Sequence, residues 1–142
     1  MEDCIFCKIV NGDIPSYKVY EDDDVLGFLD ITQVTPGHTL LIPKKHVTNI
    51  FEYDTDLATK VFTKLPELAR AIKAINSDIK GLNIINNNGQ IAYQSVFHSH
   101  IHLIPRYSSD DDMSIKFSDN SALYTPEQYG DVQKAIANHL TK

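Results

Sequence analysis

The chain has 142 residues, 42% of them hydrophobic and 23% charged, which is ordinary for one soluble globular domain and excludes a disordered or fibrous chain. Its formal net charge of −6, from 19 acidic and 13 basic residues, would repel a polyanion, so we expect no nucleic-acid partner. No apolar run approaches the roughly 18 residues of a membrane span, and no basic-then-apolar leader opens the chain. We therefore expect residues 1–142 to form a single cytoplasmic domain that does not bind a membrane.

The first third of the sequence predicts short strands joined by turns. Residues 18–20 and 25–29 flank a run of four acidic residues, which predicts a hairpin. We interpret the acidic run as a solvated turn and not as a metal site, because four successive side chains point in different directions. Residues 38–42 form an apolar run that follows Pro36-Gly37 and stops at Pro43, which predicts a buried strand.

The middle of the chain predicts a long amphipathic helix. Apolar residues recur at three- and four-residue steps from residue 57 to residue 72, a spacing that is typical of a helix with one buried face. Pro66 lies inside this pattern and predicts a kink or a break, because proline removes a helical hydrogen bond and clashes with the preceding turn. Residues 82–85, after Gly81, predict a further strand.

A second helix is predicted near the C-terminus. Thr125, Pro126 and Gln128 combine a capping residue, a proline at the first helical position and a capping-box glutamine. Tyr129 and Ile136 then supply apolar positions for one helical face. We expect a helix that begins near residue 126.

Three histidines are the strongest functional signal. His98, His100 and His102 alternate within residues 96–104, which we predict to be an extended strand, so their rings would share one face. Three interpretations of this pattern are open: surface histidines without a role, a metal site, and nucleophilic catalysis. One strand rarely supplies a whole coordination sphere, whereas a neutral imidazole, with an unperturbed pKa of about 6.5, can attack phosphorus near neutral pH. The pattern therefore favours a histidine nucleophile.

Two cysteines form a second candidate site. Cys4 and Cys7 are spaced as Cys-x-x-Cys, which in a cytosolic protein is more typical of a metal or redox pair than of a structural disulfide. The pair would supply half of a tetrahedral zinc site. A redox pair and two unpaired core cysteines are the alternatives.

Residues 94–106 resemble the signature of the histidine-triad (HIT) family, in which three histidines alternate with mostly apolar residues. Ser99 is a mild departure from that pattern. Further matching segments are residues 28–31, residues 36–46, residues 86–89 and the opening at residues 4–7, which is typical of bacterial members. The matches follow the family's order and approximate spacing over roughly three quarters of the chain.

The resemblance implies a fold and a reaction. The implied fold is α+β, with an antiparallel sheet of about five strands, one long helix packed on it and a C-terminal helix, in a chain that generally forms a homodimer. The implied reaction is attack by His100 on the α-phosphate of a nucleoside phosphoramidate or adenylate. Water then hydrolyses the nucleotidyl-histidine intermediate, so that a difficult displacement is divided into two easier steps.

The resemblance also implies which residues contact a purine nucleotide. His102 would donate to a non-bridging phosphate oxygen, and Ser95 and Gln94 would line the phosphate and the leaving group. Asp30 would bind the ribose hydroxyls. Asn87, with Asn86 and Asn88 as alternatives in the same run, would lie near the sugar and the phosphate. The implied catalytic residues are His100, His102 and Ser95, and no organic cofactor is expected.

Family members with the same opening carry two cysteine and two histidine ligands, which implies a zinc ion held by Cys4, Cys7, His46 and His98. Such an ion would be structural, because four protein ligands leave no position for a water molecule to be activated. His38 and His139 receive no functional role.

Within the family, the phosphoramidase branch fits residues 94–95 and the three histidines best. A dinucleoside polyphosphate hydrolase is the alternative enzyme. A nucleotide-binding scaffold, whose interactions matter more than its turnover, is the alternative of another class.

Overall fold

The computed structural model describes residues 3–140, whose centre is a five-stranded antiparallel sheet with the strand order β1-β2-β3-β5-β4. The strands are β1 (Lys18–Glu21), β2 (Val25–Leu29), β3 (Thr39–Pro43), β4 (Gly81–Asn86) and β5 (Ile101–Arg106). The α-helices are α1 (Ile5–Val10), α2 (Thr55–Phe62), α3 (Leu65–Lys73) and α4 (Pro126–Leu140). The predicted α+β class and the number of strands are confirmed.

The predicted long helix is divided in two at Pro66. The Asp54 carboxylate caps α2 by accepting a hydrogen bond from the Leu57 amide at 2.8 Å. A new helix, α3, starts at Leu65, with Pro66 in its first turn, where the missing amide hydrogen costs no helical bond. The break was one of the two outcomes that the proline predicted.

Both faces of the sheet are covered, because successive side chains of a strand point in opposite directions. Helices α2 and α3 pack on one face and α1 packs on the other. The first core contains Val25, Leu41, Val47, Leu57, Val61, Leu68, Ile72, Ile101 and Leu103, and the second contains Phe6, Ile9, Leu26, Phe28, Leu40 and Ile42. Burial of each large aliphatic side chain contributes roughly 1.5–3 kcal/mol. Helix α1 was not predicted from the sequence.

The predicted strand over residues 96–104 is wrong in its first half, because β5 begins only at Ile101. The ladder between β4 and β5 ends where Asn86 pairs with Ile101. Before that point, the Ser99 amide donates to the Val47 carbonyl at 2.7 Å, and the His100 carbonyl accepts from the Asn86 side chain at 2.9 Å. These contacts replace the ladder, so His98 and His100 lie in an irregular segment and His102 lies in the strand.

The C-terminal helix α4 starts with the predicted capping box. The Thr125 amide donates to Gln128 Oε1 at 2.8 Å, and the Gln128 amide donates to Thr125 Oγ1 at 3.2 Å. No residue of α4 is buried in the described chain. Among residues 3–140, no helix combines the length and the apolar character that crossing a membrane requires.

Candidate active site

Five imidazole rings form a row that begins in the loop after β3 and crosses β5. The ring centroids of His46 and His98 are 4.9 Å apart, those of His100 and His102 are 5.2 Å apart, and those of His102 and His38 are 5.2 Å apart. The Phe6 ring of α1 lies edge-on to both His98 and His100, at 5.9 and 5.1 Å. The row therefore has a cysteine-rich end, where Cys4 and Cys7 lie beside His46 and His98, and an acidic end, where Asp30 lies beside His38 and His102.

The hydrogen bond made by His100 determines which nitrogen of its ring is free. His100 Nδ1 lies 2.8 Å from the His98 carbonyl oxygen, which can only accept, so Nδ1 carries the hydrogen and Nε2 carries the lone pair. Within residues 3–140, His100 Nε2 makes no hydrogen bond. Burial lowers the pKa of His100 although its bond to the His98 carbonyl and the charge of Asp30 oppose this. His100 is therefore a neutral imidazole near pH 7, with Nε2 available to an electrophile.

A chain of hydrogen bonds also defines the protonation of His102. The Val34 amide donates to His38 Nδ1 at 3.3 Å, which leaves the ring hydrogen of His38 on Nε2. That atom lies 2.9 Å from His102 Nδ1, so His102 accepts there and carries its own hydrogen on Nε2. Burial lowers the pKa of His102 to about 4 and also lowers that of His38. His102 is thus a neutral donor.

His38 is a site residue that the sequence reasoning missed. It is 2% exposed and precedes β3, whose Leu40 pairs with His102 of β5. The predicted strand over residues 38–42 does not by itself place His38 beside the three histidines. That placement also requires knowing that β3 pairs with β5. Its position just before a strand that pairs with β5 was the available signal.

Asp30 follows β2 at the acidic end of the row. Its Oδ2 lies 3.6 Å from His38 Nε2 and 4.0 Å from His102 Nδ1. Its Oδ1 accepts from both the amide and the hydroxyl of Thr32, at 2.8 and 2.6 Å. Burial tends to raise the pKa of the carboxyl, but the Thr32 hydrogen bonds and the neighbouring imidazoles hold it below its usual range. Asp30 is therefore an ionised acceptor at neutral pH.

Asp30 lies between two cavities. One, of about 330 Å³, is an apolar slot between α1 and the sheet, lined by Phe6, Ile9, Phe28 and Leu40. The other, of about 220 Å³, is lined by Asn87 and His102. The geometry therefore brings Asp30, Asn87 and His102 together around the smaller cavity.

The three successive asparagines have different surroundings. Asn86 donates to the His100 carbonyl, and Asn88 bonds to Asn86 and accepts from the Ile50 amide at 2.8 Å. Asn87 instead lines the smaller cavity beside Asp30. Of the three, Asn87 is the one that faces this cavity.

Gln94 departs from its predicted place among the substrate ligands. It is 2% exposed, and its Nε2 donates to the carbonyls of Thr48 and Val96 at 2.6 and 3.1 Å. Its Oε1 accepts from the Gly89 amide at 2.8 Å. Because its amide group is engaged with the backbone of three loop segments, Gln94 holds the loops around the histidines and has no free donor for a phosphate.

Ser95 and Ser99 lie on different sides of the same segment. Ser95 is exposed and lines an open cavity of about 700 Å³ together with Cys4 and His46. Ser99 is buried, and its hydroxyl lies 2.9 Å from the Tyr53 hydroxyl. That pairing accounts for a polar residue at a position where the histidine-triad pattern has an apolar one.

The cysteine-rich end of the row has the donors of a zinc site. The donor atoms of Cys4, Cys7, His46 and His98 all lie within 4.8 Å of one another. Cys4 Sγ lies 3.3 Å from His98 Nδ1, Cys7 Sγ lies 3.4 Å from His46 Nδ1, and the two Nδ1 atoms are 3.2 Å apart. Around a tetrahedral zinc ion, such separations are about 3.3–3.8 Å, from bond lengths of about 2.0–2.3 Å. The four side chains fit the ion, and both thiols are free.

The orientation of His98 agrees with a role as a ligand. Its Nε2 donates to the Pro43 carbonyl at 2.8 Å, so the Nδ1 lone pair points into the cluster. His98 is fully buried, and burial lowers its pKa to about 4. A neutral imidazole whose other nitrogen donates to a backbone carbonyl is the form that binds a metal ion.

Comparison with known proteins agrees with the fold and the motifs. A model of the HIT domain matches residues 11–109. Protein hit of Bacillus subtilis is 51% identical over 139 residues, which are 98% of this chain and 95% of that protein. An adenosine 5'-monophosphoramidase of Schizosaccharomyces pombe is 43% identical over 103 residues, which are 72% of this chain and 74% of that protein.

Solved structures give the same result. The crystal structure of a HIT family member from Bacillus subtilis has a TM-score of 0.95 at 49% identity and covers 99% of both chains. A Zn-bound histidine triad family protein from Mycobacterium smegmatis has a TM-score of 0.73 at 34% identity, over 94% of this chain and 98% of that chain. Because the domain model covers more than half of the sequence and the relatives align along most of it, the chain belongs to the HIT family.

Proposed function

We propose that this protein is a nucleotide hydrolase that transfers a nucleoside monophosphate first to His100 and then to water, with nucleoside phosphoramidates or adenylates as substrates. The observation that carries the proposal is the state of His100, a buried neutral ring with Nδ1 bonded to the His98 carbonyl and Nε2 free. The name of the Schizosaccharomyces relative, a monophosphoramidase, supports this substrate class.

The chemistry follows from the two tautomers. His100 Nε2 attacks the α-phosphorus, a phosphorus–nitrogen bond forms, and the bond to the leaving group breaks. The leaving group departs with the electron pair and takes a proton from solvent. His102 Nε2–H donates to a non-bridging oxygen, and one such donor is worth about 2.7–4 kcal/mol in the transition state. Water then attacks the phosphorus and releases a proton to solvent, while the phosphorus–nitrogen bond breaks and its electron pair returns to His100 Nε2.

The nucleotide lies across Asp30 in this proposal. The apolar slot beside α1 takes a purine base, the Asp30 carboxylate accepts from the ribose hydroxyls, and Asn87 contacts the sugar and phosphate. Ser95, which is exposed, contacts the leaving group in this proposal. Gln94 holds the surrounding loops instead of touching the substrate.

The cofactor in the proposal is one structural zinc ion held by Cys4, Cys7, His46 and His98. The donor separations support the site, as does the Zn-bound relative. With four protein ligands there is no open position for a catalytic water molecule. The ion would join α1 to the segment that carries the catalytic histidine.

A homodimer is the proposed assembly. Exposed apolar side chains run through the C-terminal part of the chain, namely Ile115, Phe117, Leu123, Tyr129, Val132, Ile136 and Leu140. Val132, Ile136 and Leu140 recur at four-residue steps and therefore share one face of α4. An exposed apolar helix face is typical of an interface, and a second copy of the chain would cover it. Light scattering during gel filtration should give the mass of two chains. A cytoplasmic location stays a prediction.

Dinucleoside polyphosphate hydrolysis is a second candidate, because attack by the free His100 Nε2 on an α-phosphorus is also the first step of that reaction. Steady-state assays with adenosine 5'-phosphoramidate and with a diadenosine polyphosphate decide between the two. A higher kcat/KM for the phosphoramidate supports our proposal, and a higher value for the dinucleotide supports the second candidate. Absence of turnover on both, with AMP still bound, would indicate a nucleotide-binding scaffold.

A further inference from the structure

We propose that the Cys/His cluster, defined as Cys4, Cys7, His46 and His98, controls nucleotide affinity and the orientation of His100, with His98 and Phe6 as the positioning residues that connect them. This inference rests on the proposed function for the identity of the ligand. The inference goes beyond a zinc ion that only stabilises the fold. Two contacts of His100, with the His98 carbonyl and with the Phe6 ring, come from residues that the cluster holds in place.

The first connection runs through His98. Its ring belongs to the cluster, with Nδ1 at 3.3 Å from Cys4 Sγ and 3.2 Å from His46 Nδ1. Its own carbonyl oxygen accepts the His100 Nδ1 hydrogen at 2.8 Å. One residue therefore carries both a ligand of the cluster and the acceptor that selects the tautomer of the nucleophile.

The second connection runs through the loop after β3. His46 contributes its Nδ1 to the cluster, and the carbonyl of the next residue, Val47, accepts from the Ser99 amide at 2.7 Å. Ser99 lies between His98 and His100, in the segment that has left the sheet ladder. The cluster thus joins two loop segments that are directly hydrogen-bonded beside the nucleophile.

The third connection runs through α1. Cys4 caps this helix and Cys7 lies in its first turn, with the Cys7 amide 3.3 Å from Cys4 Sγ. Phe6, between them, lies edge-on to His100 at 5.1 Å and, with Ile9, lines the apolar slot. A helix of six residues depends on tertiary contacts, and α1 has two kinds, the packing of Phe6 and Ile9 on the sheet and the cluster. The cluster therefore helps to determine where this wall of the slot lies.

An AMP titration of wild-type protein in zinc-loaded and chelator-treated forms tests the inference. Calorimetry gives the affinity, circular dichroism confirms that the sheet stays folded, and imidazole ¹⁵N shifts give the tautomer of His100. We expect AMP to bind about tenfold more weakly after chelation, the His100 shifts to move toward a mixture of tautomers, and one equivalent of zinc to restore both. Equal affinities and unchanged His100 shifts in the two folded forms would overturn the inference.

Two variants keep the test decisive. If chelation unfolds the chain, the zinc-loaded Phe6→Leu variant is used in place of the chelator-treated protein. That change removes the ring beside His98 and His100 and keeps all four ligands. Weaker AMP binding with shifted His100 signals supports the inference, and wild-type values for both contradict it. Ile9→Ala is the matched control, since it should weaken AMP binding and leave the His100 shifts unchanged. The proposed function fails separately, through the absence of turnover by the zinc-loaded wild type.

Discussion

Replacement of His38 tests the hydrogen-bond chain that prepares His102. His38→Leu removes the donor to His102 Nδ1 and the acceptor of the Val34 amide. His38 is 2% exposed, and a buried polar group that loses its partner costs about 1–3 kcal/mol of stability. His38→Gln is the matched variant, because its side-chain amide retains a donor near the same place.

The effect on catalysis can be bounded from the same contacts. Complete loss of an oxyanion donor costs about 10²–10³ in kcat. His102 remains in β5 after the change, and only its tautomer and ring orientation are released, so we expect kcat/KM to fall about tenfold, which corresponds to about 1.4 kcal/mol. His38→Gln should retain more of the rate than His38→Leu.

The assay is steady-state hydrolysis of adenosine 5'-phosphoramidate, with the imidazole ¹⁵N shifts of His102 as a second measurement. The shifts should change from a single Nε2–H tautomer to a mixture in His38→Leu. Thermal unfolding confirms that each variant is folded at the assay temperature. Wild-type kcat/KM in folded His38→Leu, with unchanged His102 shifts, would refute the reasoning.

Three further predictions concern the loops, the pH dependence and a turn. Gln94→Ala should lower the free energy of unfolding, measured in urea, by about 2–4 kcal/mol, because the carbonyls of Thr48 and Val96 lose their donor. Unchanged stability with a raised KM would instead make Gln94 a substrate ligand. Burial holds the pKa of His100 below its usual 6.5, so the acidic limb of kcat/KM that reports loss of the neutral nucleophile should have its midpoint below pH 6.5; a limb assigned to His100 with its midpoint above 6.5 disagrees with this. Gly37→Ala should lower the free energy of unfolding, measured in urea, by about 1–3 kcal/mol, since Gly37 has a φ of +104° and an added Cβ would lie 3.1 Å from Ile75 Cδ1. An unchanged free energy of unfolding would show that the turn can relax.

The local signals in the sequence predicted the elements well where neighbouring residues decide the structure. The capping box at Thr125 and Gln128 and the helix break at Pro66 depend on contacts within a few residues, and both are confirmed. The apolar run of residues 38–42 likewise became β3. Propensity and periodicity describe such features because the stabilising bonds are local.

The structure differs from the sequence predictions where contacts between distant segments determine it. The start of β5 depends on Val47 and Asn86, which bond to residues 99 and 100 in place of a strand partner. Neither spacing nor composition reports such contacts. The role of His38 depends on the pairing of β3 with β5, and Gln94 is engaged by loop backbone from elsewhere in the chain. Helix α1 is short, and its position depends on its packing against the sheet and on the Cys/His cluster.

The nucleotidyl-histidine intermediate is the central claim, and rapid mixing with adenosine 5'-phosphoramidate tests it most directly. An alkaline quench preserves an acid-labile phosphorus–nitrogen bond, and intact mass measurement with peptide mapping then locates any adduct. We expect an adenylyl group on His100 within the first turnover and none on His100→Asn, which should lose about 10⁴-fold or more in kcat. Product release without any adenylylated protein, together with wild-type turnover by His100→Asn, would contradict the mechanism.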